Sequence, residues 1–424
     1  MSEINGQREL RTAGWTHNMQ RSLLREMLAV CARPGIRSFA GGLPAEELFP
    51  AEALAAATAR VLQEDGRALN YGPPYLPLKR HIVALMAERG VTCSEEQIFL
   101  TTGAQQALNV LARLFLEDGG QVMLEEIVYT GMQQVVCPYQ PQVLSVPTDL
   151  GSGIVIERVE EHLAGGARPA FLYVIPEAHN PLGVSIDLDG RRRLVELAGQ
   201  YGLPIIEDDA YGLLRYDGRP LPPLRALDGE QVFYVGSFSK ILAPALRLGW
   251  LVAPERLLFK LTVIKEALDL ESSALTQRVV ATLLDDGFLA GHVERLRREY
   301  GRRRDVMLAA LERHFPAETR WSRPTGGMFI WVELPAWADT AALLTLAVEE
   351  GVAFIPGVAF TPPFPAAAAS GRNPRHCLRL NFSACAPEVI EEGIGRLGRL
   401  LKSKAAGERP ALARPLAAGE ITGG

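Results

Sequence analysis

The sequence predicts an α/β protein with a large domain, built on a mostly parallel central sheet flanked by helices, and a smaller α+β domain after it. Between about residues 95 and 255 of the 424-residue chain, short apolar runs alternate with helix-length segments. This alternation is typical of parallel strands whose connecting helices cover both faces of a sheet. Further along, a long charged helix precedes short strands and more helices, which indicates the α+β domain.

Seven apolar segments of the large domain are predicted to be strands because they are short and rich in the residues of buried strands. In chain order they read QIFLTT, QVMLEE, QVLSVP, AFLYVIP, PIIEDD, QVFYVGS and GWLVA. The stretches AQQALNVLARLFLEDG and DLDGRRRLVELAGQYG, which lie between strands, are predicted helices. In the smaller domain we expect the long helix AGHVERLRREYGRRRDVMLAALERHF, the helix TAALLTLAVEEG and strands in GGMFIWVELP, VAFIPG and CLRLNFS.

Composition excludes several classes of partner. The net charge of −5 argues against nucleic acid or an anionic membrane held by a basic surface. No apolar run is long enough to span a bilayer, and MSEINGQREL lacks a secretory signal, so we expect a cytoplasmic protein without a membrane partner. The five cysteines show no CxxC or zinc-type spacing, which predicts reduced thiols and no metal site.

Polar residues follow the predicted strands, and ligands of an open parallel sheet bind where its strands end. The helix start after QIFLTT offers free N–H groups that suit a phosphate. Each residue alone has an ordinary structural interpretation, such as a turn, a cap or a solvated lysine. Together at one sheet edge they predict a binding site, formed by Ala104, Gln105, Tyr129, Asn180, Asp208, Tyr211, Ser237, Ser239, Lys240 and Arg247.

An amine beside an arginine and two hydroxyls suits a phosphorylated carbonyl compound. Lys240 can form a Schiff base with it, while Ser237, Ser239 and Arg247 hold the phosphate. A buried carboxylate such as Asp208 suits a protonated pyridine nitrogen. These are the requirements of pyridoxal phosphate, and no GxGxxG or Walker A segment indicates a nucleotide instead.

Five motifs in order resemble the class I/II aminotransferases, which are fold-type I pyridoxal-phosphate enzymes, and most closely the branch with 2-aminoadipate and kynurenine aminotransferases. They are REMLAVCARPGIRSFAGGLPAEELFP, HNPLG, EDDAYG, SFSKILAPALRLGW and LRLNFS. The resemblance extends from about Arg21 to Leu401. It implies amino transfer from an L-amino acid to a 2-oxo acid, often 2-oxoglutarate, with pyridoxal 5′-phosphate linked to Lys240.

The resemblance also implies a role for each site residue. Lys240 forms the Schiff base and moves the proton, Asp208 pairs with the ring nitrogen, and Tyr129 stacks on the ring. Asn180 and Tyr211 bond the ring oxygen. The phosphate contacts are expected from Ala104, Gln105, Ser237, Ser239, Arg247 and, across a homodimer interface, Tyr71. The substrate contacts are expected from Arg379, which grips the α-carboxylate, and from Asn180, Gly41 and Arg25.

The same resemblance divides the chain. Residues 1–45 are expected to cover the substrate, 46–285 to form the cofactor-binding domain, and 286–404 to form the small domain. Residues 405–424 are rich in Ala, Gly and Pro without periodicity, so we expect a disordered tail.

Three questions stay open at the sequence level. The same fold catalyses other pyridoxal reactions, such as elimination, cyclisation or oxidation, and the motifs do not separate these from transamination. A regulator fused to a DNA-binding helix-turn-helix is disfavoured, since only about twenty residues precede RSLLREML and the net charge is acidic. Arg25 either faces an acidic substrate group or is a solvated helix residue, and the amino donor is undetermined.

Overall fold

The computed structural model describes residues 11–18, 35–364 and 372–406. Within them the large domain is built on a seven-stranded sheet. Its strands are β1 (Ile98–Thr101), β2 (Gln121–Glu125), β3 (Gln142–Val146), β4 (Leu172–Val174), β5 (Ile205–Asp208), β6 (Val232–Ser237) and β7 (Gly249–Val252). All seven predicted strands are therefore present.

The sheet has the spatial order β1-β7-β6-β5-β4-β2-β3. Strands β3, β2, β4, β5 and β6 pair in parallel, and β7 runs antiparallel to both β6 and β1. The prediction of a mostly parallel sheet is confirmed. The antiparallel strand β7 returns the chain after Arg247, which places that residue at the same edge as the end of β6.

Helices cover both faces of this sheet. Alternate strand residues point to opposite faces: Met123, Leu172 and Ile205 lie in one buried cluster, and Leu124 and Tyr173 in the other. The helices of the large domain are α1 (Ala51–Glu64), α2 (Leu76–Glu88), α3 (Ala104–Phe115), α4 (Thr130–Val136), α5 (Ile156–Ala164), α6 (Leu188–Tyr201), α7 (Leu224–Leu227), α8 (Glu255–Asp269) and α9 (Ala274–Asp285).

The smaller domain has an antiparallel sheet of four strands with the spatial order β8-β9-β11-β10. These strands are β8 (Arg320–Trp321), β9 (Phe329–Glu333), β10 (Ile355–Pro356) and β11 (Cys377–Asn381). Its helices are α10 (Phe288–His314), α11 (Thr340–Glu349) and α12 (Pro387–Ala405). The short strand Arg37–Ser38 pairs in parallel with Val352–Ala353, so the N-terminal segment joins this domain.

Helices α10 and α12 pack closely because a glycine lies at their contact. A Cβ on Gly398 would lie 2.6 Å from the carbonyl oxygen of His314, which is too close for any side chain. No helix within the described ranges is long and apolar enough to cross a membrane.

Candidate active site

A cavity of about 250 Å³ opens at the carboxyl ends of the parallel strands. The large domain supplies most of its walls, and β11 of the small domain supplies an arginine. The sequence-predicted residues that line it are Ala104, Gln105, Tyr129, Asn180, Asp208, Tyr211, Ser237, Ser239, Lys240, Arg247 and Arg379. The fold thus brings together residues that lie up to 275 positions apart in the chain (379 minus 104).

Lys240 follows β6 and projects into this cavity. Its Nζ donates a hydrogen bond of 2.7 Å to the carbonyl oxygen of Gly42. Burial, followed by the positive charges of Arg379 and Arg247, lowers the lysine's pKa to about 8, although Asp208 acts in the opposite direction. The uncharged fraction of the amine near neutral pH is therefore far larger than that of an ordinary lysine, and the uncharged form is the one that a nucleophile or base requires.

Asp208 ends β5 and is almost completely buried. The hydroxyl of Tyr173 donates a hydrogen bond of 2.9 Å to its Oδ2. Its Oδ1 is buried and has no hydrogen-bond partner among the described residues. Burial is the largest influence on this carboxyl and raises its pKa to about 6. The side chain therefore presents one free acceptor that is ionised at neutral pH.

The neighbouring Asp209 lies outside the cavity lining. Its Oδ2 is 3.0 Å from Nη2 of Arg89 and accepts a hydrogen bond of 3.0 Å from the hydroxyl of Tyr234. Successive residues point in different directions at the strand end. The two adjacent carboxylates therefore interact with different groups, and only that of Asp208 lines the cavity.

Arg379 lies on β11 and is 1% exposed. Its Nη1 donates to Oδ1 of Asn180 at 2.9 Å, and its Nη2 donates to the carbonyl oxygen of Ala40 at 2.5 Å. The guanidinium lies over the ring of Phe329, with Cζ 4.2 Å from the centroid, and 5.0 Å from the ring centroid of Phe360. Burial lowers its pKa to about 10, which still leaves a cation at neutral pH. The arrangement offers a fixed planar donor to a carboxylate.

The other end of the cavity is suited to an anion. Helix α3 begins here after Gly103, whose φ is +83°, and no side chain caps its first N–H groups. Arg247 donates from Nη2 to the carbonyl oxygen of Thr102 at 3.1 Å, and a Cβ on Gly103 would lie 2.7 Å from that nitrogen. Ser237 and Ser239 add hydroxyl groups to the same lining.

Two further aromatic residues line the cavity. Burial raises the pKa of the Tyr129 phenol to about 12 and also raises that of Tyr211, so both keep their protons at neutral pH. Tyr129 donates to Oε1 of Gln105 at 3.4 Å, and Nε2 of Gln105 donates to the carbonyl oxygen of Gly131 at 2.9 Å. These bonds link the start of α3 to the loop that carries Tyr129.

Two predicted site residues, Gly41 and Tyr71, are not among the lining residues, and a third cannot be placed. Gly41 is buried between Ala40, whose carbonyl accepts from Arg379, and Gly42, whose carbonyl accepts from Lys240. Tyr71 is 79% exposed on the surface of the chain. Arg25 lies outside the described residues.

The structure also adds lining residues that the motifs did not single out. They are Gly42, Leu43, Ile175, Ala210 and Pro244. Each lies within five positions of a predicted site residue, so proximity to a motif was the available signal. Only the folded structure shows that these small or apolar residues line the cavity.

These residues fit pyridoxal phosphate. The unpartnered Oδ1 of Asp208 is a buried acceptor that a protonated ring nitrogen would satisfy. The N-terminus of α3 with Arg247, Ser237 and Ser239 would hold the phosphate. The amine of Lys240 would bond to the aldehyde carbon.

Comparisons with known proteins identify the family of the chain. The family model for aminotransferase class I and II matches residues 40–397. The chain is 42% identical to the 2-aminoadipate transaminase of Thermus thermophilus over 391 residues, which cover 91% of this chain and 94% of that protein. It is 37% identical to aromatic-amino-acid aminotransferase 1 of Thermococcus litoralis over 394 residues, covering 91% and 93%.

Solved structures of aminotransferases also superpose closely on this chain. The α-aminoadipate aminotransferase of Thermus thermophilus, complexed with N-(5′-phosphopyridoxyl)-L-leucine, superposes with a TM-score of 0.85 at 39% identity, covering 93% of this chain and 98% of that one. The kynurenine aminotransferase of Pyrococcus horikoshii gives 0.86 at 36% identity, covering 93% and 97%. The fold is thus that of fold-type I pyridoxal-phosphate enzymes. The chain belongs to the class I and II aminotransferase family, and it is an enzyme that transfers amino groups with pyridoxal 5′-phosphate.

Proposed function

We propose that the chain moves the amino group of an L-amino acid to a 2-oxo acid, often 2-oxoglutarate, with Lys240 as the catalytic residue. The observation that carries this proposal is the shared cavity of three groups: the Lys240 amine, the free oxygen of Asp208 and the Arg379 guanidinium. Bound pyridoxal phosphate supplies an aldehyde carbon that bonds to amines and a pyridinium ring that accepts electrons.

Lys240 is proposed to act twice. Its Nζ would hold the aldehyde carbon of the bound cofactor when no substrate is present. As a free amine beside a bound amino acid, it would take the proton from the substrate α-carbon. A pKa of about 8 supports both tasks, because the amine can accept a proton near neutral pH and release it again. The hydrogen bond to Gly42 holds the amine in the cavity beforehand.

The remaining proposed roles concern binding. Arg379 takes the α-carboxylate in a two-pronged hydrogen bond, and Asn180 and Tyr211 bond the ring oxygen. Tyr129 lies against the ring face. Asp208 keeps the ring nitrogen protonated. The phosphate contacts are proposed for Ala104, Gln105, Ser237, Ser239 and Arg247, with Ala104 contributing only its backbone N–H.

We also propose a homodimer in which Tyr71 reaches the phosphate of the partner subunit. Exposed apolar side chains support this, since Leu69, Tyr71 and Leu270 are 73%, 79% and 55% exposed. They lie near the phosphate end, because Gly72 donates to the carboxylate of Glu271 at 3.1 Å and Thr102 donates to Asp269 at 2.8 Å.

Two further proposals concern domains and location. The sheet β1–β7 lies within residues 46–285 and the sheet β8–β11 within 286–404, which supports the domain limits expected from the sequence. A cytoplasmic location is supported by the four cysteines of the described ranges, which are all free thiols.

The donor is best sought among the amino acids in the names of the relatives and in the ligand of one solved structure. A panel of L-2-aminoadipate, kynurenine, aromatic amino acids and leucine, each with 2-oxoglutarate, should yield glutamate with at least one donor. Turnover should stop when the 2-oxo acid is omitted. Product formation without a 2-oxo acid would instead indicate another pyridoxal reaction, such as elimination.

A further inference from the structure

A buried tyrosine lies behind the carboxylate of the site, outside the cavity. Tyr173 is fully buried on β4, and its hydroxyl donates to Oδ2 of Asp208 at 2.9 Å. In the parallel register Tyr173 lies opposite Ile206, so Asp208 is two residues further along β5 and its side chain starts on the same face. A tyrosine is long enough to reach such a diagonal neighbour.

Because of this hydrogen bond, the two carboxylate oxygens of Asp208 have different roles. Oδ2 is held from within the protein by Tyr173, and Oδ1 is the oxygen left without a partner among the described residues. A carboxylate fixed at one oxygen cannot rotate freely about its last bond. The free oxygen therefore keeps one direction toward a molecule in the cavity.

We propose that Tyr173 is a positioning residue for transamination, which fixes Asp208 and makes it an acceptor that leaves the proton on the cofactor's ring nitrogen. This inference rests on the proposed pairing of Asp208 with that nitrogen. Tyr173 does not itself line the cavity, so it acts through Asp208 alone.

The physical reason is that the carboxylate of Asp208 and the ring nitrogen of the cofactor would compete for one proton. A hydroxyl that donates to a carboxylate stabilises the ionised form and so lowers the pKa of Asp208. Without that donor, the carboxylate would bind a shared proton more tightly and withdraw it from the ring. The other titratable groups that act on Asp208 remain in either case, and they are His179, Asp209, Lys240, Tyr129 and Tyr211.

The chain offers a matched control on a neighbouring strand. Tyr234 on β6 is also buried, and its hydroxyl donates to Oδ2 of Asp209 at 3.0 Å. The variant Tyr234→Phe removes the same kind of bond from a carboxylate outside the cavity lining. A general loss of sheet stability would therefore affect Tyr173→Phe and Tyr234→Phe alike.

The test compares wild type, Tyr173→Phe, Tyr234→Phe and Asp208→Asn. For each, we would measure the affinity of the apoenzyme for pyridoxal phosphate and the pH midpoint at which the visible absorption of the holoenzyme changes. A proton on the ring withdraws electrons and makes the nitrogen that links Lys240 to the cofactor less basic. Tyr173→Phe should therefore move the midpoint upward and weaken cofactor binding severalfold, because a carboxylate that binds the shared proton more tightly attracts the ring nitrogen less, and Tyr234→Phe should resemble wild type.

A second substitution tests the direction in which the pH midpoint moves, and it does so without removing the hydroxyl of Tyr173. Replacing Tyr173 with 3-fluorotyrosine retains the ring and makes the hydroxyl a stronger donor, so the midpoint should move downward. A shift for Asp208→Asn with none for either change at Tyr173, or equal shifts for Tyr173→Phe and Tyr234→Phe, would overturn this inference. An unchanged midpoint and affinity in Asp208→Asn would instead overturn the proposed pairing of Asp208 with the ring.

Discussion

At the scale of single residues, neighbouring side chains of the same type have different chemistry because of what surrounds them. In both aspartates Oδ1 has no hydrogen-bond partner among the described residues, but Oδ2 of Asp208 accepts from Tyr173 beside the cavity, whereas Oδ2 of Asp209 is held by Arg89 and Tyr234 away from it. The sequence placed both carboxylates at a strand end, and the folded chain shows which of them lines the cavity.

This difference predicts unequal effects of two substitutions. Asp208→Ala should lower kcat by at least about a hundredfold, since proton positioning contributes factors of about 10² to 10⁴. Asp209→Ala should chiefly lower the melting temperature, because it leaves Arg89 buried without its carboxylate. The check is steady-state kinetics together with thermal unfolding of both variants. Equal losses of kcat in two folded variants would mean that the assignment of the two aspartates is wrong.

The lowered pKa of Lys240 predicts a pH dependence. Only the uncharged amine attacks the cofactor, so the rate at which apoenzyme captures pyridoxal phosphate should rise as the pH passes about 8 and then level off. Asp208, with a pKa of about 6, is almost fully ionised where the lysine titrates near pH 8, so it adds no slope there. Stopped-flow absorbance, recorded from pH 6.5 to 10, measures the capture rate at each pH. It would show whether the rate rises around pH 8, the pKa of Lys240, and not around pH 6, the pKa of Asp208. A rate that is still rising steeply at pH 10, without levelling off, would show that the amine is not perturbed.

At the scale of secondary-structure elements, the sequence predicted much of the fold. Period and composition identified all seven strands of the large sheet, and the turn chemistry after them identified the residues of the cavity. Such local patterns do not predict contacts between residues that lie far apart in the chain. Examples are the pairing of Arg37–Ser38 with Val352–Ala353 and the bond from Lys240 to Gly42, whose partners are 198 positions apart.

Tyr173 illustrates the same limit. Its segment AFLYVIP reads as a buried strand, and a tyrosine there is ordinary core. Only the parallel register of β4 and β5 brings its hydroxyl to Asp208. Register depends on tertiary packing, so the contact of this residue with Asp208, and the role proposed for it, could not be predicted from the sequence.

The contact between α10 and α12 predicts opposite effects for two glycines of one helix. Gly398→Ala would place a Cβ 2.6 Å from the carbonyl oxygen of His314, and should destabilise the fold by about 1–3 kcal/mol. Gly395→Ala has its nearest contact at 3.6 Å and should be neutral or stabilise the helix by about 0.5–1 kcal/mol. Denaturant unfolding of the two variants distinguishes them. A Gly398→Ala variant as stable as Gly395→Ala would contradict the packing described here.

At the scale of the whole molecule, the active site draws on both domains. The cofactor end belongs to the large domain, while Arg379 comes from β11 of the small domain. Phe329 on β9 lies 4.2 Å from the guanidinium and makes an edge contact with Tyr211 at 5.9 Å between ring centroids. If Arg379 binds the substrate carboxylate as proposed, substrate binding and the relative position of the domains would be linked through this one arginine.

The exposed segment around Tyr71 predicts a dimer. Light scattering should give twice the 46.2 kDa mass of the chain. Tyr71→Phe should remain dimeric but lose pyridoxal phosphate more readily, because it lacks one hydroxyl at the partner's phosphate, whereas Tyr75→Phe serves as the control from the same segment. A monomer with full activity would contradict the dimer. A Tyr71→Phe enzyme that retains cofactor as wild type does would contradict only the cross-subunit contact.

The central claim is that Lys240 carries the cofactor and performs the transfer. Borohydride reduction of the holoenzyme, followed by peptide mass spectrometry, tests it most directly. We expect a single phosphopyridoxyl adduct on the peptide that contains Lys240, and none in Lys240→Ala, which should also lose transamination by several orders of magnitude. If an amino donor is added before reduction, the adduct on Lys240 should disappear, because the donor displaces the lysine. An adduct on a different lysine, or none in active enzyme, would contradict the account.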